Sequence, residues 1–347
     1  MTRSTDVTGP AGAAGLPQVP RLAVSLGFWQ DRPPGEALLT ARAADRLGYD
    51  ELWVGEMATY DAFALATAIG LRTERIGLTV GPLAVAVRDP MTIARGVASV
   101  ADLTGRRVGV AVGTSSPLVV AEWHGRDRSR PATRLRESAT VLRELLNGRK
   151  PSFDGETVRT RGYHLRLDAP HSELTVAAFG PAAVGVAATL ADRMVLNLIT
   201  PASAAALVRR LRDAAAVAGR EVPRVAAWVC AAVNPTEAAV EQLRRAVVGY
   251  LAAPGYGEMF TEAGFGDVVE FARTRPHPRE LLAAVPVELI QSVGLVGDEA
   301  TVRDRLADYG RAGVDEVALV PTGVEADPGG EKTLAALAAL RPPVAEG

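Results

Sequence analysis

"RIGLTVGPLAVAVRDPMTIARGVASVADLTGRRVGVAVG", residues 75–113, contains one full unit of the fold. It opens with RIGLTVG (75–81) and closes with RRVGVAVG (106–113), short runs rich in β-branched and apolar residues that read as strands. Between them, DPMTIARGVASVADLTG spaces its apolar residues at helical period. Asp89 with Pro90 suits the start of that helix, and Gly105 suits its end. A strand, a helix and a strand in this order predict two parallel strands joined by a crossover.

The same rhythm continues on both sides. Strand-like runs occur at RLAVSLGF (21–28), DELWVGE (50–56), LTVAAFG (174–180), DRMVLNLI (192–199), RVAAWVCAAV (224–233) and DEVALVP (315–321), with helical stretches between them. With the first two runs they make eight strands. A doubly wound sheet more often stops at five to seven, so the expectation is an α/β fold of the (β/α)8 TIM-barrel kind. Asp298 is expected to cap the helix before the last strand, with Gly313 as its stop.

Two stretches break the rhythm. Residues 149–173 are polar and hairpin-like, and residues 236–290 form a long, mainly helical excursion. Both are expected at the barrel rim, where such insertions either wall an active site or cover an edge or subunit contact. No second core is visible, so residues 21–340 are expected to form one domain. Residues 1–20, rich in Gly, Ala and Pro, read as a disordered tail and lack the pattern of a secretion signal.

Composition narrows the function. The chain has 347 residues, 48% of them hydrophobic, and a net charge of -2, which gives no sign of nucleic-acid binding. Cys230 is the single cysteine and reads as core packing. His124, His164, His171 and His277 lack the paired spacings of metal sites, so no metal is expected. No apolar run reaches the ~20 residues of a membrane-spanning helix. A cytoplasmic protein with no membrane or nucleic-acid partner is expected.

Several landmarks recur in a known order: "LGYDELWVGE" (47–56), "DAFALATAIGLRTERIGLTVGPLAVAVRDPMTIARGVASVADLTGRRVGVAVGTS" (61–115), "EWHGRDRSRPATRLRESATVLRELLNGRKPSFDGE" (122–156), "ADRMVLNLITP" (191–201) and "VGDEATVRDRLADYGRAGVDEVALVP" (296–321). Together they resemble the bacterial luciferase-like monooxygenase family over residues 21–340. The resemblance implies a TIM barrel that binds FMN or the deazaflavin coenzyme F420, often as a homodimer, and the overall pattern is closer to the F420 branch. It implies hydride transfer to or from a small-molecule or peptide-borne organic substrate, with reduction of an activated C=C or C=N bond as the expected reaction. An FMN-dependent monooxygenase and a non-catalytic flavin-binding homologue are the alternatives. Met57 and Thr114 stand near positions where sugar-phosphate dehydrogenases of this family carry a histidine and a glutamate, which argues against sugar-phosphate oxidation.

The resemblance also assigns residues. It places the cofactor phosphate near Gly113, Thr114, Ser115 and Ser116, where the plain alternative is a strand-to-helix turn; the Gly-Lys-Ser/Thr ending of a P-loop is absent. Phe179, Gly180 and Pro181 offer a second anion contact at a helix start, or only that start. Val80 and Gly81 mark a bulge behind the ring, formed in the family around a non-prolyl cis peptide, or else an ordinary Gly-Pro turn. Arg126, Arg130 and the arginines around them suit the acidic tail of F420, or a solvated charged face. Glu56 is the expected proton donor, with a loop-holding role as the alternative. Asn197 is expected at the ring edge, or in a structural role at the barrel rim, and His164 as a proton donor from the insertion, or as a plain surface histidine. Trp29, Trp53, Tyr60 and Trp123 are candidates for an apolar slot, with Trp53 also readable as core.

Overall fold

The computed structural model describes residues 19–27 and 32–341. Residues 1–18 of the expected tail, and Trp29, lie outside the described residues. Eleven strands are formed among the described residues: β1 (Arg21–Ser25), β2 (Glu51–Val54), β3 (Gly77–Ala84), β4 (Val108–Gly113), β5 (Ser152–Asp154), β6 (Arg159–Arg161), β7 (Leu174–Ala177), β8 (Arg193–Asn197), β9 (Arg224–Val233), β10 (Gly294–Gly297) and β11 (Glu316–Pro321). Eight of them close a parallel ring in the order β1, β2, β3, β4, β7, β8, β9, β11, with β11 returning to β1. This is a TIM barrel, and its eight ring strands are the eight runs read from the sequence.

Helices α1 (Glu36–Arg46), α2 (Ala62–Gly70), α3 (Pro90–Thr104), α4 (Pro131–Leu146), α5 (Pro181–Leu190) and α6 (Pro201–Val217) cover the outside of the ring in turn. After β9, the excursion folds as α7 (Glu237–Val248), α8 (Tyr256–Phe260), α9 (Gly266–Arg273), α10 (Pro278–Ala284) and α11 (Val287–Ser292). α12 (Glu299–Arg311) and α13 (Glu331–Ala338) then flank β11. Local signals set these ends. The Asp89 carboxylate accepts from the Thr92 amide at 2.9 Å, Gly105 ends α3 in the left-handed conformation (φ 64°), and Asp298 accepts from the Thr301 amide at 2.8 Å.

β5 and β6 form the expected antiparallel hairpin, which is fastened to the barrel by one buried side chain. Glu137 on α4 accepts from the backbone N–H groups of Glu156, Thr157 and Val158 and from the Thr157 hydroxyl, all within 3.0 Å. Burial pushes this carboxyl up, but the hydrogen bonds outweigh it and hold it at about 2.

β10 was not expected. It is only four residues long and pairs with Cys230–Val233 at the upper end of β9, on the edge that β8 leaves free.

Two cores result. The larger lies between ring and helices and contains the outward rows of the strands. The smaller fills the ring with Ala23, Trp53, Ala111, Val195, Ala226 and Ala318, against which Ala177 and Trp228 pack. Trp53 and Trp228 meet edge to face with ring centroids 5.7 Å apart. Trp53 is therefore core, as one of its two readings held.

Candidate active site

In a barrel the ends of the strands form the mouth, and period-two alternation decides which side chains reach it. On β4, Gly109 and Gly113 share a row with the inward Ala111; on β7, Thr175 shares one with Ala177, and Phe179 follows two residues past the strand; on β8, Asn197 continues the row of Arg193 and Val195. On β2, Glu51 and Trp53 face inward, and Glu56 lies two residues past the strand's end.

Where β3, β4 and β7 reach the mouth, the residues are small. The β3 ladder shifts register between Val80 and Leu83, which makes the expected bulge. The expected non-prolyl cis peptide is corrected here: the cis bond is the prolyl Gly81–Pro82. Gly81 has φ 121°, and a Cβ on it would lie 2.1 Å from the Ala111 carbonyl oxygen, so no other residue fits this backbone. A Cβ on Gly113 would lie 3.2 Å from the Ala177 Cβ and 3.8 Å from the Pro82 Cβ. A side chain at position 113 would therefore press on Ala177 and Pro82, and β4 carries none where it reaches the mouth.

The turn after β4 is shaped by one of the arginines that follow it. Ser115 sits in the left-handed region (φ 56°), unusual for a residue with a side chain. Its carbonyl accepts two bonds from Arg128, at 2.8 and 3.2 Å. The Ser116 hydroxyl accepts from the Val119 amide at 3.3 Å and so caps the π-helical turn Leu118–Trp123. Arg130 pairs with Glu156 of the hairpin at 2.5 Å, whereas Arg126 is exposed.

Glu56 is gripped on both oxygens by Arg88, with Nε to Oε2 at 2.8 Å, and also accepts from the Ala62 amide at 3.4 Å. The Arg88 guanidinium also pairs with Asp61 and lies 5.2 Å from the Phe63 ring centroid. In this arrangement Glu56 ties the β2 loop to the start of α2 and to the segment before α3. Arg88 was not singled out in the sequence, although its place directly before the Asp89 cap puts it at the rim.

The opposite side of the mouth is aromatic and polar. Asn197 donates to the Tyr256 hydroxyl at 3.2 Å, and Tyr256 packs on Phe179 with centroids 4.6 Å apart. Burial, then the neighbouring Tyr250, pushes the Tyr256 phenol well above its ordinary value. Tyr256 comes from the excursion, and no sequence signal tied it to Asn197. Gly180 and Pro181 begin α5, with Gly180 exposed. His164 is exposed beside Tyr163, whose hydroxyl donates to the Met91 carbonyl at 3.4 Å. Tyr60 and Trp123 are exposed, so the apolar slot expected from them does not form among the described residues.

The profile of the luciferase-like monooxygenase family matches residues 13–316. The chain belongs to the luciferase-like monooxygenase family. Within the family, it is 25% identical over 325 residues to a Mycobacterium tuberculosis protein described as a coenzyme F420-dependent oxidoreductase, covering 85% of this chain and 93% of that one. Among solved structures, the coenzyme F420-dependent tetrahydromethanopterin reductase of Methanopyrus kandleri superposes with a TM-score of 0.76 at 20% identity, over 91% of this chain and 97% of that one. An F420-dependent secondary alcohol dehydrogenase in complex with an F420–acetone adduct gives a TM-score of 0.74 at 19% identity, over 92% and 99%. These structures share the luciferase-like barrel.

Proposed function

We propose that this luciferase-like chain is a coenzyme F420-dependent oxidoreductase, moving a hydride between the reduced deazaflavin and an organic substrate and reducing an activated C=C or C=N bond. The observation that carries the reading is the set of small residues where β3, β4 and β7 reach the mouth, Gly113 beside Ala177 and Pro82 and next to the Gly81 bulge, which keeps bulky side chains off the face a flat ring would need. The relatives named for F420 support it. When bound, the deazaflavin supplies or accepts the hydride.

The chain's own residues then hold and orient. Thr114, Ser115 and Ser116, in the turn fixed by Arg128, would hold the phosphate with hydroxyls and amides, and the Gly180–Pro181 start of α5 would add a second contact. Val80 and Gly81 would back the ring. Asn197, fixed by Tyr256, is the amide on the inward row at the mouth and would meet the ring edge or substrate. Glu56 has both oxygens on Arg88, so its proposed part as proton donor requires that clamp to open; closed, the clamp positions the β2 loop. Arg126 and His164 are exposed, and their proposed contacts are with the cofactor's acidic tail and with the substrate.

The test is a fluorescence titration of the purified chain with F420 and, separately, with FMN. Saturable micromolar binding of F420, abolished by Gly113→Val, is expected. Tight FMN binding with oxygen consumption, and none for F420, would overturn the reading in favour of an FMN monooxygenase.

A further inference from the structure

A cleft of about 690 Å3 opens between α6, α8 with its following π-helical turn, and α12, within the range of small-molecule sites. It reaches toward the mouth at Phe179, two residues past β7, whose ring packs on Tyr256. Gly255 keeps the two sides close, since a Cβ there would stand 2.9 Å from the Phe179 ring. Its apolar wall includes Phe179 and Met259.

The charges around it are mixed in a specific way. α6 and α12 contribute Arg210 and Arg305, while α8 and the π-helical turn (Thr261–Phe265) contribute Glu258 and Glu262. Among the described residues no ion pair joins either arginine to either glutamate. Arg305 instead approaches Asp308 at 3.8 Å, and Glu258 accepts from the Gly255 amide. Charges of both signs therefore line one space without neutralising each other directly. A ligand of a single sign meets repulsion from one pair, whereas a ligand carrying both signs can satisfy the two.

We propose that this cleft is a substrate subsite selecting a zwitterion, with an amine cation toward the glutamates, a carboxylate toward the arginines and an apolar body against Phe179 and Met259. The proposal rests on the oxidoreductase reading for its place beside the reacting centre, but its recognition chemistry is independent of the cofactor.

The test is calorimetric titration of the purified full chain, with and without F420, using phenylalanyl-alanine, its N-acetyl form and its C-terminal amide. The zwitterionic dipeptide is expected to bind, and blocking either end to weaken it about tenfold, the scale of losing one charge partner at a partly exposed site. Glu262→Gln should abolish the penalty for acetylation while sparing the penalty for amidation, and Arg210→Ala with Arg305→Ala should do the reverse. Equal binding of the three forms, or no binding of any at millimolar concentration by a chain that captures F420, would overturn the proposal. A preference for the zwitterion in a chain that captures no F420 would support the subsite and defeat the cofactor assignment instead.

Discussion

The two ends of the barrel handle polarity in opposite ways. At the base, beneath Trp53, Arg193 is fully buried and donates to Glu51 at 2.7 Å, to Glu316 at 3.0 Å and to the Thr175 hydroxyl at 3.2 Å, with its guanidinium 4.3 Å from the Trp53 ring centroid. The Thr79 hydroxyl donates to Glu51, and the Trp53 indole N–H donates to Glu316. Every charge there is held by partners from other strands. Where β3, β4 and β7 reach the mouth, Gly81, Gly113 and Ala177 carry little or no side chain. The contrast separates work: a closed polar cluster that locks the ring, and strand ends of small residues that keep bulk off the mouth.

Removing the central cation tests the lock most severely. Arg193→Met leaves two buried carboxylates facing each other, and should cost about 3–5 kcal/mol in urea unfolding. A loss below about 1 kcal/mol would mean the cluster is not the fastening described. On the mouth side, Gly81→Ala forces a Cβ against the Ala111 carbonyl in a conformation that disfavours side chains, and should cost about 2–4 kcal/mol by overpacking and strain. Equal effects from the two variants would blur the division between base and mouth.

Acidity sharpens the comparison further. At Glu316, burial and then the charge of Glu51 push the carboxyl well above the usual carboxylate range; at Glu51, the Arg193 hydrogen bond and charge overcome burial and hold it below. A carboxyl raised by folding contributes stability that is present at low pH and is lost as pH rises through its folded value. Glu316→Gln should therefore show a flatter fall in urea stability from mildly acid to alkaline pH than the wild type. The Glu137 fastening has the opposite sign. Its contribution is present above the model-peptide value of 4.5 and is lost as pH falls toward about 2. Glu137→Gln should remove that acid-side loss, read as proteolytic nicking of the hairpin between pH 5 and 2.

The smallest expected effect is at the aromatic side of the mouth. Tyr256→Phe removes the acceptor for Asn197 and should cost about 1 kcal/mol. If Asn197 orients the substrate, KM should also rise severalfold in an assay of the reduced-cofactor reaction, with kcat changed less.

The ring was readable because each of its strands is a compact β-branched run bounded by Gly, Pro or Asp, a signal carried within a few residues. RIGLTVG and RRVGVAVG needed no distant information. β10 escaped because GLVG is too short to show a period and gains its partners only once β9 runs past the end of β8. At the site, the glycines and the small-residue turn were visible as types, and the bulge was placed correctly while the kind of peptide bond was not. The pairings of Glu56 with Arg88, Asn197 with Tyr256 and Arg193 with Glu51 and Glu316 span 32 to 142 residues and depend on closure of the ring.

The excursion leaves β9 after Val233 and comes back beside it as β10, whose four residues pair with Cys230–Val233, and the Asn234 amide donates to the Gly297 carbonyl at 2.7 Å. Residues 235–293 thus start and finish beside one strand end, so their length and content can be exchanged without altering the register of any ring strand. Transplanting residues 235–293 from another barrel of this kind would re-tailor what the enzyme accepts while leaving its framework intact.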